Sequence, residues 1–547
     1  MQALSPSPQP SPRDAGRGRD PRFPGPREAR PEDRLWRGRV RGFLRRGRPF
    51  ALLALLCLLL YAPGLAAIPP LDRDEARFAQ ATRQMLESGD FIRIRFQDHA
   101  RNKKPAGIYW LQAASVSLFS TAESPAIWPY RLPSALAAAL AALLVLALGR
   151  ALFADGRRAG LLAGVLMASA LGLVAEAHLA KTDAALCAAI VAGQGALGLA
   201  YVRARAGFPV GWPLALGFWF AEAAGVLLKG PVAPLIAFLT AGALALADRD
   251  ARFVTRLRPV VGLCVTAAVV LPWLVAIERA TAGHFLAQSV GHDLLPKLLG
   301  GQEGHGAPPG TYLALSLVTF WPGSLLLVPA LVWGRRQRRA PAERFLLAWL
   351  IPAWLLFELI PTKLPHYVLP LYPALALLAG RALAEGFTNA QERGSLARKK
   401  TDAAETAALL TRIADRVVRG LWGLASFALA AALVVLPVIF GHGPPAAAIP
   451  AAAAIALLAA ALLSRGPAIA PLASLSVAFA LGAAAVLPGL DRIWPSRAAA
   501  ALVARHPPSA GTPLVAIGDS EPSLVFLLGT KTRLLSAPAA APALARG

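Results

Sequence analysis

Apolar runs close to twenty residues long recur along most of this chain, and that feature constrains its fold more than any other. A stretch of that length with few charges crosses a hydrocarbon layer of about 30 Å as a single helix. Inside lipid only helices or closed barrels satisfy their own backbone groups. The runs are rich in Ala and Leu and lack period-two alternation, which argues against a barrel. What remains is an all-α polytopic membrane protein. Composition agrees, with 56% of the 547 residues hydrophobic and a mean hydropathy of +0.51.

Thirteen spans are expected, at 50–68, 131–149, 159–177, 184–201, 211–228, 231–247, 259–277, 312–333, 345–360, 367–384, 421–440, 446–464 and 468–487. Residues 1–49 are rich in Pro, Arg and Gly without apolar period and read as a disordered basic tail. The tail is too long for the charged region of a cleaved signal peptide, so the first span is expected to stay. Residues 385–420 read as a linker with a charged helical section. Residues 488–547 read as a small outer domain, with short strands expected at 513–517 and 523–526.

The net charge is +25 and the isoelectric point about 11.2. In a soluble chain this would raise nucleic acid as a partner. Here the excess lies in loops and in the tail, where it suits anionic lipid headgroups and phosphates. Arginines 150, 157, 158, 203 and 205, with those of 249–258, 335–344 and 381–419, share one side. Basic short loops mark that side as cytoplasmic. The amino terminus is then inside and the carboxyl terminus outside, and loops 69–130, 178–183, 278–311 and 361–366 share the outer face. The three cysteines all lie in apolar runs and form neither a disulfide framework nor a metal spacing.

Residues 70–112 form the longest polar insertion in the first half of the chain. Asp74, Glu75 and Glu87 stand there beside Arg73, Arg77, Lys103 and Lys104. Charge held at a membrane face is costly unless it is paired or used. Asp74–Leu86 reads as an amphipathic helix capped by Asp72 and ended by Gly89; a second helix follows at 108–119, and both are expected in the interface plane. Further polar clusters on the same face are His178 with Lys181, Thr182 and Asp183, and Lys363 with His366 and Tyr367. Lys229 and Lys297 add two cations.

Taken in order, Asp74-Glu75-Ala-Arg77-Phe78, Gly89-Asp90, Lys104-Pro105 before Tyr109-Trp110, Arg131-Leu-Pro133, Thr182-Asp183, Leu228-Lys229-Gly230-Pro231 and Lys363-Leu-Pro-His-Tyr-Val-Leu-Pro370 resemble glycosyltransferase family 39. This is the membrane-embedded fold of protein O-mannosyltransferases and of the ArnT-like lipid A aminoarabinose transferases. The resemblance runs from about residue 50 to 380. It implies a GT-C-type catalytic domain over 50–384, followed by transmembrane helices at 421–487. It also implies inverting transfer of a sugar from a polyprenyl-phosphate donor to lipid A, an envelope glycan or a protein, at the outer face of a bacterial inner membrane. It places the key carboxylate on Asp74, a supporting acid on Asp183 and a phosphate-binding cation on Lys104. Relatives often carry a glutamate, tied to a bound metal, just before that lysine. Lys103 stands there in this chain, so no metal ligand set is assigned and the cofactor stays open between a divalent ion and none.

The chemistry asks for those residue types. A carboxylate takes the proton of an acceptor hydroxyl, or orients an acceptor that is already anionic. The leaving phosphate needs positive charge, and Arg supplies a fork where Lys supplies a point. The candidate set is therefore Asp74, Glu75 and Asp183 as acids, with Arg77, Lys104, Tyr109, Lys229, Lys297, Lys363, His366 and Tyr367 on substrate. Each also has a plain reading. Asp74 would pair with Arg77, Glu75 would serve the helix start, and Asp183 would pair with Lys181. Lys104 would snorkel, Lys229 would end a helix, Tyr109 would belong to an interfacial belt and His366 would be a structural histidine. A competing function is a transporter or flippase of polyprenyl-linked or anionic substrates. It calls for charges lining the bundle at mid-membrane, whereas these gather at one rim.

Overall fold

The computed structural model describes residues 47–71, 73–154, 156–300, 306–386, 402–508, 514–518, 521–536 and 538. Most of the expected tail, residues 387–401 of the linker and the expected cap Asp72 lie outside the described residues. The protein is helical almost throughout, and every expected span falls on a helix. Among the described residues, seven helices are long and apolar enough to cross a membrane, and nine if each of two bent pairs counts once. Gly47–Tyr61 and Val232–Asp248 are apolar but shorter.

The straight spans expected at 159–177 and 312–333 are both broken. Gly156–Ser169 and Leu171–Ala177 meet at 59°, and the Leu171 amide bonds the Trp321 carbonyl at 2.8 Å instead of continuing its own helix. Thr311–Thr319 and Gly323–Arg336 meet at 119°. Pro322 stands at that break and brings no N–H to the helical ladder. The last segment expected to be a linker and a separate span is one helix, Asp402–Phe440. At 39 residues it is about 58 Å long, nearly twice a ~30 Å hydrocarbon layer.

The Asp74–Ser88 helix ends on Gly89 in the left-handed conformation, φ 67°, which glycine adopts without a Cβ penalty. It is packed into the protein on much of its surface. Ala76, Ala79, Ala81 and Met85 are buried, and so are Glu75, Gln80, Thr82 and Arg83. Polar residues inside must be paired, and here most are: Thr82 donates to Gln112 at 2.7 Å, and Arg83 donates to the carbonyls of Ala122, Glu123 and Phe526. A short hairpin, Arg95–Phe96 with His99–Ala100, leads into the Gly107–Phe119 helix. Gly107 abuts the end of helix Trp212–Lys229, and a Cβ there would sit 2.7 Å from the Leu227 carbonyl oxygen. That approach brings the Lys104-Pro105 turn beside Lys229.

In the carboxyl-terminal region Val515–Ile517 is a strand, but 523–526 is not. Pro522–Leu528 is a helix, and the second strand is Arg533–Leu535, parallel to the first. Parallel strands need a crossover between them, usually a helix, and the apolar run at 523–526 supplies it.

Candidate active site

Six separate stretches meet around one cavity of about 300 Å³. The Asp74–Ser88 helix brings Asp74, Arg77 and Phe78; the turn after the hairpin brings Arg101, Lys103 and Lys104. The start of helix Asp183–Arg205 brings Lys181, Thr182 and Asp183. Lys229 ends helix Trp212–Lys229, Asp293 and Lys297 come from the 287–299 helical segment, and His366 and Tyr367 come from the turn after Thr362. Eight Lys and Arg side chains line it against four carboxylates, so the cavity is built for an anion.

The acids divide by environment. Asp74 is the open one, with its side chain 59% exposed and one ion pair, to Arg101 at 3.9 Å. Arg101 itself lies over the Phe78 ring at 4.9 Å. Asp183 is buried, bonded by Lys229 and flanked by Lys181 at 3.8 Å and by His366 Nε2 at 3.8 Å. Glu75 is fully buried. Arg131 grips both of its oxygens, at 2.7 and 2.8 Å, and the amides of Leu71 and Ala180 donate to them at 2.7 and 2.9 Å. All its acceptor positions are engaged, so Glu75, expected among the catalytic acids, ties the helix start to the 178–183 loop.

The cations form two groups. Lys104 donates to Asp293 at 2.8 Å and Lys297 donates to the other Asp293 oxygen at 2.6 Å. Lys229 lies over the Tyr367 ring at 5.1 Å. Burial pushes the Lys104 ammonium below the ordinary lysine range, and the Asp293 charge recovers part of that. Burial alone would raise the Asp293 carboxyl, but Lys104 and Lys297 hold it below its usual range. Burial would likewise lower Lys181, and Glu176 with Asp183 raise it instead.

Two expected substrate contacts do not reach the cavity. Lys363 turns back under helix Pro341–Leu359 and donates to the carbonyls of Phe357, Glu358 and Ile360 at 3.2, 2.7 and 2.8 Å. It satisfies the orphan carbonyls of that helix end. Lys363→Met is therefore expected to lower thermal stability by about 1–3 kcal/mol and to leave affinity for a phosphate ligand unchanged, as melting and binding measurements in detergent would report. Tyr109 is fully buried beneath Phe78, its hydroxyl 3.4 Å from Arg101. It supports the cavity wall and belongs to no interfacial belt.

Sequence reasoning missed Arg101 and Asp293, both on the cavity wall, and Glu176, which accepts from Lys181 at 3.2 Å. Asp293 carried one signal, its place four residues before Lys297 on a helical segment. Glu176, Asp183 and His366 bring one ligand atom each to within 4.8 Å of one another. The buried ammoniums of Lys181 and Lys229 already hold the two carboxylates, so this set does not fit a divalent ion as it stands.

A second cavity of about 410 Å³ adjoins the first and is apolar. Pro105, Val226, Leu227, Trp273 and Phe285 line it, and Lys103, Lys104, Lys229 and Asp293 are common to both. One end of this groove is hydrocarbon-like and the other is cationic, which is the shape a lipid with a phosphate head requires.

Comparison with known proteins agrees with that geometry. Residues 103–275 match the family model described as dolichyl-phosphate-mannose-protein mannosyltransferase. The undecaprenyl phosphate-alpha-4-amino-4-deoxy-L-arabinose arabinosyl transferases of Pseudomonas paraeruginosa and Pseudomonas aeruginosa strain LESB58 are 32% and 33% identical over 344 residues. These alignments cover 60% of this chain and 59% of each relative, so the chain spans about three-fifths of the length of the curated relatives it matches. The crystal structure of ArnT from Cupriavidus metallidurans bound to undecaprenyl phosphate superposes with a TM-score of 0.66 at 22% identity, over 90% of this chain and 86% of that one. By its ordered motifs, its family model over residues 103–275 and its Pseudomonas relatives, this chain is similar to the ArnT-like members of glycosyltransferase family 39, and it shares the fold of the Cupriavidus ArnT structure.

Proposed function

We propose that the protein is a glycosyltransferase of a bacterial inner membrane, taking a sugar from a polyprenyl-phosphate donor at the periplasmic face. In this reading the helices at the thirteen expected spans all belong to the transmembrane domain, with the amino terminus cytoplasmic and the carboxyl terminus periplasmic. Aminoarabinose carried on undecaprenyl phosphate and delivered to lipid A is the substrate pair that the relatives' names favour; another envelope glycan or a protein is the alternative acceptor. The single observation that carries this reading is the junction of the apolar groove with the cationic cavity at Lys104 and Lys229.

The groove takes the polyprenyl chain, and the carrier phosphate lies against Lys104, Lys229 and Lys297. Before it arrives, Asp293 holds Lys104 and Lys297 together, so no ammonium has to be gathered from solution during the reaction. Asp74 faces the sugar's far side. It removes a proton from an acceptor hydroxyl, or orients an acceptor phosphate, and the acceptor oxygen displaces the carrier phosphate with inversion. Asp183, fixed by Lys181 and Lys229, sets where those two cations stand. Arg77 and Arg101 flank the acceptor side; Glu75 is a positioning residue.

Lys104 gives this reading a test in pH. Lysine is cationic below its pKa, and burial lowers that value here. Affinity for undecaprenyl phosphate is expected to fall as pH rises, at a lower pH than an ordinary lysine would give. Lys104→Arg, which stays charged, is expected to move that alkaline limb upward in a titration of binding followed by native mass spectrometry. An unchanged limb would remove Lys104 from the phosphate site.

A further inference from the structure

The Asp74–Ser88 helix is secured from a place more than 400 residues away in sequence. Phe526, on helix Pro522–Leu528, is fully buried in a cluster with Ala79, Val116, Ile127, Tyr130 and Ala180. Its ring meets Tyr130 edge-on at 5.3 Å, and the Arg83 guanidinium lies over it at 5.5 Å. Its carbonyl accepts from Arg83 at 2.5 Å. One turn further on, the Thr530 hydroxyl accepts from Gln80 at 2.7 Å and donates to Glu87 at 2.8 Å. Gln97 donates to the Thr530 and Thr532 carbonyls. These bonds reach the helix through Gln80, Arg83 and Glu87, and the hairpin turn through Gln97.

The elements held in this way are the ones that carry the cavity. Ala79 and Gln80 lie about one and a half turns from Asp74 on the same helix, and Ala180 gives its amide to Glu75 beside Lys181 and Asp183. A buried ring wedged among four segments fixes their spacing, because packed interiors resist sub-ångström displacement. Catalysis by positioned groups is sensitive to such displacement. The carrier groove, in contrast, draws no lining residue from 521–535.

We propose that residues 521–535 are a positioning element for the reaction, with Phe526 and Thr530 holding the Asp74 helix in the register at which Asp74 faces the sugar from the side opposite the carrier phosphate. The proposal rests on the transferase reading for its activity arm alone. It separates the carboxyl-terminal segment from carrier binding and gives it a part in the chemical step.

The test uses the full-length protein in lipid nanodiscs, as Phe526→Ala, Thr530→Val and the conservative Phe526→Leu. Hydrogen exchange is followed by mass spectrometry, binding is measured with undecaprenyl phosphate as the probe, and turnover is measured with aminoarabinose-loaded undecaprenyl phosphate and lipid A. For Phe526→Ala the expected result is faster exchange confined to 74–100 and 178–183, with helices Trp128–Leu152 and Asp183–Arg205 unchanged beyond their first turns. The kcat is expected to fall roughly 10- to 100-fold with the KM for the carrier unchanged. Thr530→Val shows the same pattern more weakly, and Phe526→Leu restores most of the protection. Uniformly faster exchange, unchanged exchange over 74–100, or local loosening with kcat intact would each overturn the proposal. If the unmodified protein transfers no sugar, the transferase reading fails, and the exchange pattern still decides whether 521–535 holds the helix.

Discussion

Asp74→Asn is expected to cut sugar transfer by about 100- to 10,000-fold in a protein that stays folded and still binds its carrier. The substitution keeps the volume of the side chain and removes its charge and basicity. Asp74 is more than half exposed to the cavity, and its ion pair to Arg101 spans 3.9 Å. Pairs this open contribute about 0–1 kcal/mol, so the melting temperature should hardly move. The loss should appear in kcat and leave the KM for the carrier alone, because the phosphate lies against Lys104 and Lys229, across the cavity. Single-turnover mass spectrometry of the lipid product checks this. Transfer at the unmodified rate would remove Asp74 from the mechanism.

The second large effect is on folding. Arg131 is fully buried and donates five hydrogen bonds, two to Glu75 and three to the carbonyls of Leu65, Ile68 and Pro69. Its removal strands the Glu75 carboxylate without its counter-charge and leaves three carbonyls at the end of the first helix short of a donor. Arg131→Met is expected to destabilise the protein by about 3–5 kcal/mol, the range for breaking one partner out of a buried pair. The double variant Arg131→Met with Glu75→Leu should recover much of that stability, since an apolar pair costs no desolvation. Activity should stay low, because the Ala180 amide and the 65–69 turn have lost their common anchor. Thermal unfolding in detergent for the single and the double variant gives the comparison. A single variant as stable as the unmodified protein would show that the pair holds nothing.

The helices were legible because lipid forces hydrophobic runs into helices, and every expected run lies on helical residues, of which seven to nine segments among the described residues are long and apolar enough to cross a membrane. The breaks were harder to see. Leu171 takes its partner from Trp321, a contact with no local signature, and Pro322 signalled a possible stop without its angle. The segment 523–526 is a helix where a strand is expected, since a run as short as Leu-Val-Phe fits a strand and a buried helix equally. At the cavity, charge bias across short loops was enough to bring Asp74, Lys104, Asp183, Lys229, Lys297, His366 and Tyr367 to one face. It could not say where a side chain turns. Lys363 lies in the right turn and points back to a helix end; Glu75 neighbours Asp74 and is consumed by Arg131. Arg101 and Asp293 escaped because their partners, Asp74 and Lys104, come from other elements. The anchoring of Gln80 by Thr530 spans 450 positions, a separation that no window along a single sequence reports.

The most direct measurement is the position of the carrier itself, from a cryo-EM map of the protein in nanodiscs with undecaprenyl phosphate. The phosphate is expected within hydrogen-bond reach of Lys104 and Lys229, with the first isoprene units running past Pro105, Val226 and Trp273. A phosphate held elsewhere, or a polyprenyl chain that leaves this groove empty, would contradict the assignment of the junction as the place where the sugar leaves its lipid.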